Sequence, residues 1–302
     1  MRALATNFGT EVESNDVGEW MAKGKLDWQI ATRPVYVDDQ ELEDKVALVN
    51  NKSGKVLSLV SPKYQVVQPE AMLETFQNAV HDYGFRMDRV GMYEGGKVIW
   101  GRADMEQSFL LNGNDEIDYY MYFVTSADGS SATHAFISTM RAVCMNALNL
   151  AIKGALKYSI THREQYEPAE FRNRAQFFQA GVHDFEDNVQ LLEQTPISGA
   201  GEFVELYSQF FGRCPKDASS RQKTQYETRV TEFWQHTKNG VGAELARRKL
   251  NYWNFLNAYT WQVDHESRCR SDELAHRNSI MRNAASKKVE IMEGLVDLAK
   301  AA

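Results

Sequence analysis

The residue types that could carry out catalysis or hold a metal are present in this sequence, but their spacing matches no catalytic or metal-binding motif. Ser53-Gly54-Lys55 lacks the preceding glycine of a phosphate-binding loop and lies in a turn signal between two strand-like runs. The chain has no HExxH, no CxxC and no GxSxG element. Its seven histidines are scattered, and each is expected to form hydrogen bonds at the surface or in the core. The sequence therefore predicts neither an enzyme nor a metal or organic cofactor.

One set of side chains, Asp88 with Glu94 and Lys97, has the residue types of a metal-dependent nuclease on a β-hairpin. Two glycines separate Glu94 from Lys97, so these side chains are not expected on the same strand face. The spacing argues against a nuclease site.

Cationic and aromatic side chains alternate between residues 60 and 165. This combination suits single-stranded nucleic acid, because the cations neutralise phosphates while the rings stack bases without selecting a sequence. Trp100 also lies in this region, but it is as consistent with a core residue of a sheet. The candidate nucleic-acid-binding residues are Lys63, Tyr64, Arg141, Asn146, Lys153, Lys157, His162 and Arg163.

The net charge of -7 does not by itself indicate a nucleic-acid-binding protein. The charge is unevenly distributed, with ten acidic and five basic residues among the first fifty and nine basic against four acidic from Arg247 to Lys288. Local potential governs binding, so an acidic chain can carry a basic surface. The alternative for the basic stretch is a solvated helical face.

Three cysteines, Cys144, Cys214 and Cys269, are odd in number and widely spaced, which fits a reducing compartment without a disulfide framework. No apolar run approaches the ~18 residues of a membrane span. The first residues lack the apolar segment of a signal peptide. We therefore expect a protein of the cytoplasm that does not enter a membrane.

The order of elements predicts an α+β fold, with an antiparallel twisted sheet and packed helices in the N-terminal half and a helical C-terminal region. We expect a flexible arm over residues 1–25, an α+β core over 26–165 and a mainly helical region over 166–302. A hairpin is predicted on either side of the run NNKSGK, and a helix from Pro69 to Tyr83 with Gly84 as its C-terminal cap. An antiparallel meander follows up to residue 140.

A second helix is predicted to begin near Arg141. At 100° per residue, Cys144 and Leu148 fall on one side and Asn146 and Asn149 on another, together with Lys153 and Lys157. Cys144 should then be buried and inert, while the two amides should bond backbone groups or line a groove.

Several segments together resemble a known family. They are Leu26-Asp27-Trp28 with Arg33-Pro34, VLSLVSPKYQVVQ, SADGSSA, RAVCMNALNLAI, and the later Asn257-Ala258 and Asp264-His265. They resemble a phage- and plasmid-borne family of proteins of unknown function, with a DGS turn before an Arg-x-Val-Cys-x-Asn-x-Leu motif. The resemblance covers about residues 20 to 290 and implies a bacteriophage, plasmid or prophage protein in the cytoplasm of a bacterial host.

The predicted order of elements is also similar to the core of single-strand annealing recombinases of the RecT and Red-beta type. That resemblance rests on architecture alone. It implies that the sheet and an adjacent helix line a basic groove for DNA, and that subunits assemble into rings or filaments.

The favoured hypothesis is an ATP-independent protein that binds and anneals single-stranded DNA as a homo-oligomer. It would assist recombination or replication, with a phage or host replication or recombination protein as a further partner. The alternative is a phage protein-binding module that engages a host or defence protein through the basic C-terminal helices and the aromatic run WNFLNAYTW. An enzyme with an unrecognised site is the third possibility. The preference between DNA and RNA stays open.

Overall fold

The computed structural model describes residues 8–128, 133–149, 158–160, 168–247, 250–266 and 268–301. Within these ranges, the side chains of 133, 158–160 and 168–180 are not described.

The main element is an antiparallel sheet with the strand order β1-β5-β6-β7-β8. β9 and β10 both pair with the outer edge of β8, with Asn149 opposite Ser138 and Tyr158 opposite Ala135. These strands are β1 (Thr10–Glu11), β5 (Arg86–Tyr93), β6 (Val98–Leu111), β7 (Asp115–Ser126), β8 (Thr133–Arg141), β9 (Asn146–Asn149) and β10 (Tyr158–Ile160).

Both faces of this sheet are covered. On one face, Ile99, Ala103 and Phe123 contact the main hydrophobic core, to which the helices contribute. On the other face, Trp100 and Tyr122 pack with Ile280 in a smaller second core. The alternation of side chains along a strand explains how one sequence serves two cores.

A separate three-stranded sheet contains β2 (Ile30–Val37), β3 (Gln40–Asn50) and β4 (Val56–Val60). The predicted hairpin between β3 and β4 is confirmed. Its turn is stabilised by the Asn50 carboxamide oxygen, which accepts hydrogen bonds of 3.0 Å from the backbone of Lys52 and of Ser53.

The helix predicted between Pro69 and Tyr83 is confirmed as α2 (Pro69–Tyr83). Met72, Phe76 and Ala79 lie at helical spacing and are buried. Gly84 adopts a left-handed conformation with φ 68°, where a residue with a Cβ would be strained.

The C-terminal part of the chain is helical, and the predicted α+β class is confirmed. One continuous core contains buried residues from Val12 to Val296, so the helices pack on the sheet without a gap in the core. The remaining helices are α1 (Val17–Lys23), α3 (Pro168–Gln194), α4 (Ala200–Phe211), α5 (Ser220–Asn239), α6 (Tyr252–Trp261), α7 (Asp272–Met281) and α8 (Asn283–Ala301). Short helical turns occupy Ala243–Leu245 and Gln262–Glu266, the latter a π-helical turn.

The aromatic run WNFLNAYTW forms α6, and most of its side chains are buried. Trp253 and Phe255 belong to the main core. The expectation that this run offers an exposed interface is therefore wrong, because its rings fill space between the sheet and the other helices.

The flexible arm predicted for residues 1–25 is wrong for residues 8–25. β1 pairs with β5, and Trp20 of α1 is 0% exposed. The Trp20 indole Nε1 donates a 2.7 Å hydrogen bond to the Ser14 carbonyl. The flexible arm was predicted from the acidic and polar composition of this stretch, but a few apolar side chains within it pack into the core.

The helix predicted to begin near Arg141 is also wrong. Arg141 ends β8, and after a turn in which Met145 has φ 56° the chain returns as β9, with Asn146 opposite Arg141. A strand covered on both faces shows no alternation of polar and apolar residues. In the segment after Arg141, the apolar residues also lie at helical spacing, and this coincidence led to the wrong prediction of a helix.

Among the residues that the structure describes, no helix is both long enough and apolar enough to span a bilayer.

Replacing Trp20 by alanine should lower the free energy of unfolding by about 3–5 kcal/mol, because a large buried ring is lost from the core. Urea denaturation measures this change. The control is Glu13→Ala at a mostly exposed ion pair with Lys23, which should cost less than about 1 kcal/mol. Equal small effects would show that the segment around α1 does not contribute to the core.

Candidate nucleic-acid interface

The described candidate residues lie at two opposite ends of the main sheet. Thr133 and Arg141 are the first and last residues of β8, so the two ends are separated by roughly 26 Å at 3.3 Å per residue. Lys63 and Tyr64 lie near the first end, and Arg141 and Asn146 at the second.

Several turns converge at the first end. We call it the turn end and define it as residues 51–55, 61–64, 94–97, 127–128 and 158–160. The Ala127 N–H donates a 2.8 Å hydrogen bond to the Lys97 carbonyl. A Cβ added to Gly95 would come within 2.8 Å of the Lys55 side chain, so Lys55 lies across this glycine. Burial, together with the nearby charge of Asp128, raises the pKa of the Tyr64 hydroxyl, which places Tyr64 beside the turn after β7.

The turn end carries exposed positive charge. Lys63 is exposed and Tyr64 is half-buried against the core. Lys55 and Lys63 form no ion pair with any side chain that the structure describes. Lys97 is only loosely paired, with 4.0 Å between its Nζ and Glu94 Oε2. Two ammonium groups, those of Lys55 and Lys63, are thus available at the end of the sheet that carries the Tyr64 ring.

At the second end of the sheet, Arg141 is buried and fully engaged. Its guanidinium donates two hydrogen bonds of 2.7 Å to the Asp115 carboxylate, one from Nε to Oδ1 and one from Nη2 to Oδ2. Nη2 also donates a 2.7 Å hydrogen bond to the Gly242 carbonyl. The exposed fractions are 2% for Arg141 and 1% for Asp115. The prediction that Arg141 contacts phosphates is wrong, because its charge is already neutralised inside the protein.

Asn146 is equally unavailable to a nucleic acid. Its amide nitrogen donates to the Asn257 carbonyl at 3.2 Å, and its Oδ1 lies 3.1 Å from His265 Nε2. Asn149 donates a 2.7 Å hydrogen bond to the Ile280 carbonyl. The expectation that these amides bond backbone groups is confirmed, but the assignment of Asn146 to DNA binding is wrong.

A second buried ion pair lies beside Asn146. The Lys288 ammonium group donates to Asp264 Oδ1, to the Ala147 carbonyl at 2.7 Å and to Ser279 Oγ at 2.9 Å. Burial lowers the pKa of Lys288, and the Asp264 carboxylate opposes this shift. The Ala147 N–H donates to the other Asp264 oxygen at 2.9 Å. β9 is thereby attached to the π-helical turn and to α8.

These contacts join the two parts of the sequence pattern that carried the family resemblance. Arg141 and Asn146 come from its first part, and Asn257, Asp264 and His265 from its second. We call the set formed by these residues with Asp115 and Lys288 the buried polar network. Sequence reasoning missed Asp115 and Lys288, because an isolated charged residue carries no local signal that its side chain is buried.

Cys144, Asn146 and His265 have the residue types of a thiol-protease site, but their arrangement does not support that chemistry. The prediction that Cys144 is buried is confirmed, and burial raises the pKa of its thiol. The His265 ring faces Asn146 and the Cys144 backbone. A buried, protonated thiol is a poor nucleophile.

The carboxylates of the nuclease-like set are separated as well. Asp88 pairs with Arg102, and Glu94 pairs with Arg277. Within the described part of the chain, no group of three or more His, Cys, Asp and Glu side chains could hold a metal ion.

Four predicted binding residues, Lys153, Lys157, His162 and Arg163, lie outside the described residues. Ile160 of β10 pairs with Thr133, so β10 ends at the turn end.

The comparison with family models decides the affiliation of the chain. Residues 56–286 match the domain of unknown function DUF932. The chain belongs to the DUF932 family. The DUF932 match contains both parts of the buried polar network, and the expected membership of a family of unknown function is confirmed. Searches of curated proteins and of solved structures found no significant match.

Replacing Asp115 by asparagine should destabilise the protein by about 3–5 kcal/mol, because it leaves the buried Arg141 charge uncompensated. Replacing both residues, with Arg141→Met and Asp115→Leu, should cost less than the single change. Urea unfolding measures both effects. Lys52→Ala, at the exposed Lys52–Asp27 pair, is the control and should cost less than about 1 kcal/mol. A single change no worse than this control would contradict the structural role of the pair.

Acid should destabilise the protein through His276. Burial and the charges of Arg102, Arg89 and Lys288 lower its pKa to about 3, and its Nδ1 lies 2.6 Å from the Tyr93 hydroxyl. The unfolded chain takes up the proton below about pH 6.5 while the folded chain does not. Stability is therefore fully present above that pH and falls by about 1.4 kcal/mol per pH unit towards pH 3.

Thermal or urea unfolding across this range measures the slope. The matched variant is His276→Gln, which can still accept the hydrogen bond but does not titrate. It should show a shallower dependence between pH 6.5 and 3. Parallel curves for the variant and the wild type would show that His276 does not set the acid sensitivity.

Proposed function

We propose that this DUF932 protein binds single-stranded DNA at the turn end of its sheet and promotes annealing without ATP, in the recombination or replication of a phage or plasmid. The observation that carries the proposal is the exposed Lys63 beside the half-buried Tyr64 ring. Lys55, which forms no ion pair with a described side chain, lies at the same end. His162 and Arg163, which follow β10 in the chain, are further candidates.

Two kinds of interaction would contribute to binding, namely the attraction of phosphates to lysines and the stacking of bases on an aromatic ring. Lysines neutralise phosphates in any sequence, and an aromatic ring stacks any base, so binding needs no base-specific hydrogen bond. Tyr64 packs against the main core and is half-buried, so the part of its ring that remains exposed is the surface proposed for a base. Annealing would follow from holding a strand extended with its base edges open to a complement.

Replacing Lys55 and Lys63 together by alanine should weaken binding to single strands and reduce its dependence on salt. Each lost phosphate contact lowers the slope of log affinity against log salt by about 0.7. Fluorescence anisotropy with a labelled oligonucleotide over a salt series measures both quantities. The matched control is Lys216→Ala with Lys223→Ala, two exposed lysines of the helical region, which should leave the slope unchanged.

Replacing Tyr64 by alanine should remove about 1–3 kcal/mol of binding free energy while leaving the salt slope nearly constant, because stacking releases no counterions. Tyr64→Phe keeps the ring and should bind like the wild type. A phenylalanine variant as weak as the alanine variant would contradict stacking. Absence of any binding at ~50 mM salt would end the DNA proposal and favour the protein-partner alternative.

A further inference from the structure

The first described residues of the chain lie along the edge strand β5 of the main sheet. We call residues 8–11 the strap. Within the strap, Thr10 and Glu11 form β1, and their pairing with β5 covers these two residues. The chain is next anchored at Val12, which is 3% exposed. A segment held over so short a length can separate from the sheet while the residues after it stay folded.

The strap covers aromatic rings on the face of the sheet that carries the second core. The Phe8 ring is stacked on the Tyr93 ring, with 6.0 Å between their centres and 12° between their planes. Gly9 crosses the Trp100 indole so closely that a Cβ at this position would lie 2.5 Å from it, so only glycine fits. Tyr93 directly precedes residues 94–97 of the turn end. The covered rings therefore adjoin the proposed binding surface.

The strap also neutralises a cation. The Glu11 carboxylate pairs with the Arg89 guanidinium, which donates a further hydrogen bond of 3.4 Å to the Gly9 carbonyl. The exposed fraction of the side chain is 12% for Arg89 and 75% for Glu11, so the carboxylate approaches the cation from the solvent side. An ion pair with one such exposed partner contributes little to stability. The charge contact therefore holds the strap weakly.

Beneath the strap, the Trp100 indole has an unused hydrogen-bond donor. Trp100 is 0% exposed, and its Nε1 has no partner among the residues that the structure describes. This atom lies beside Gly91, where a Cβ would be 3.0 Å from it. A buried donor without an acceptor costs stability, so an arrangement that supplies an acceptor to this N–H is favoured over the covered one.

We propose that the strap stands in for a nucleotide, and that single-stranded DNA displaces it to reach a further contact surface formed by Arg89, Tyr93 and Trp100. The Glu11 carboxylate has the place of a phosphate and the Phe8 ring that of a base. These are the two groups of a single strand that a cation and an aromatic ring bind. The surface extends the turn end along the second face of the sheet, and its assignment to DNA rests on the proposed function.

The test is a strap variant, Phe8→Ser with Glu11→Ala, which weakens the cover and leaves the surface beneath it unchanged. Since a partly populated binding-competent state lowers the apparent affinity by its fraction, this variant should bind a labelled oligonucleotide at least about fivefold more tightly than the wild type. Fluorescence anisotropy over a salt series should also show a slope steeper by about 0.7, because Arg89 gains a phosphate. The matched control is Glu13→Ala, which removes the same charge from the exposed pair with Lys23 and should bind like the wild type.

Two further readouts distinguish displacement of the strap from a general effect of charge. Adding Arg89→Gln to the strap variant should return the salt slope to the wild-type value. In the wild type, the oligonucleotide should accelerate hydrogen exchange at the amides of residues 9–11, because these leave the sheet when DNA binds. A ligand that binds elsewhere would leave this exchange unchanged. The exchange measurement needs no substitution, so it does not depend on how well a variant folds.

The possible outcomes separate the strap from the proposed function. Equal affinity and slope in the wild type and the strap variant, without accelerated exchange at residues 9–11, would overturn the displaced strap and leave DNA binding at the turn end. Binding by the strap variant alone, lost with Arg89→Gln, would support the strap and move the DNA site beneath it. Absence of binding by both proteins at ~50 mM salt would overturn both proposals.

Discussion

Arg141 and Asp115 form an ion pair that is almost completely withdrawn from water, and the junction between the sheet and the C-terminal helices depends on it. Burying two charges costs several kcal/mol for each ion, so such a pair persists only with additional hydrogen bonds. The Gly242 carbonyl accepts one from Arg141, and the Trp253 indole donates one to Asp115 at 3.2 Å. The sheet and α6 are thereby fixed in one arrangement.

Arg141 of the buried ion pair belongs to the sequence pattern that carried the family resemblance, and the pair lies away from the proposed binding surface. In the most specific segment, Arg141–Leu148, the Arg141 and Asn146 side chains are buried while Val143 is 40% exposed. Arg141 and Asn146 hold β8 and β9 against the helices through the buried polar network. The turn end, with Lys55 and Lys63, is free of that network.

The sequence predicted the fold well where the local signal and the tertiary environment agree. The α2 helix has an apolar stripe, a proline at its start and a glycine cap, and each of these is a local feature. Arg141–Asn149 was mispredicted because its burial comes from partners more than one hundred residues away, such as Asn257. Residue type alone could not show that Arg141 is neutralised by Asp115, so a cation was mistaken for a surface charge.

The most direct test of this account is photo-cross-linking of the protein to single-stranded DNA that contains 4-thiothymidine, followed by mass spectrometry of the labelled peptides. The account predicts adducts on the peptides that contain Lys55, Lys63 and Tyr64, because exposed side chains at the turn end contact the strand. Peptides that contain Arg141–Leu148 should carry none, since the polar side chains of that segment, Arg141 and Asn146, are buried and it lies at the opposite end of the sheet. Adducts concentrated on Arg141–Leu148 would contradict the account.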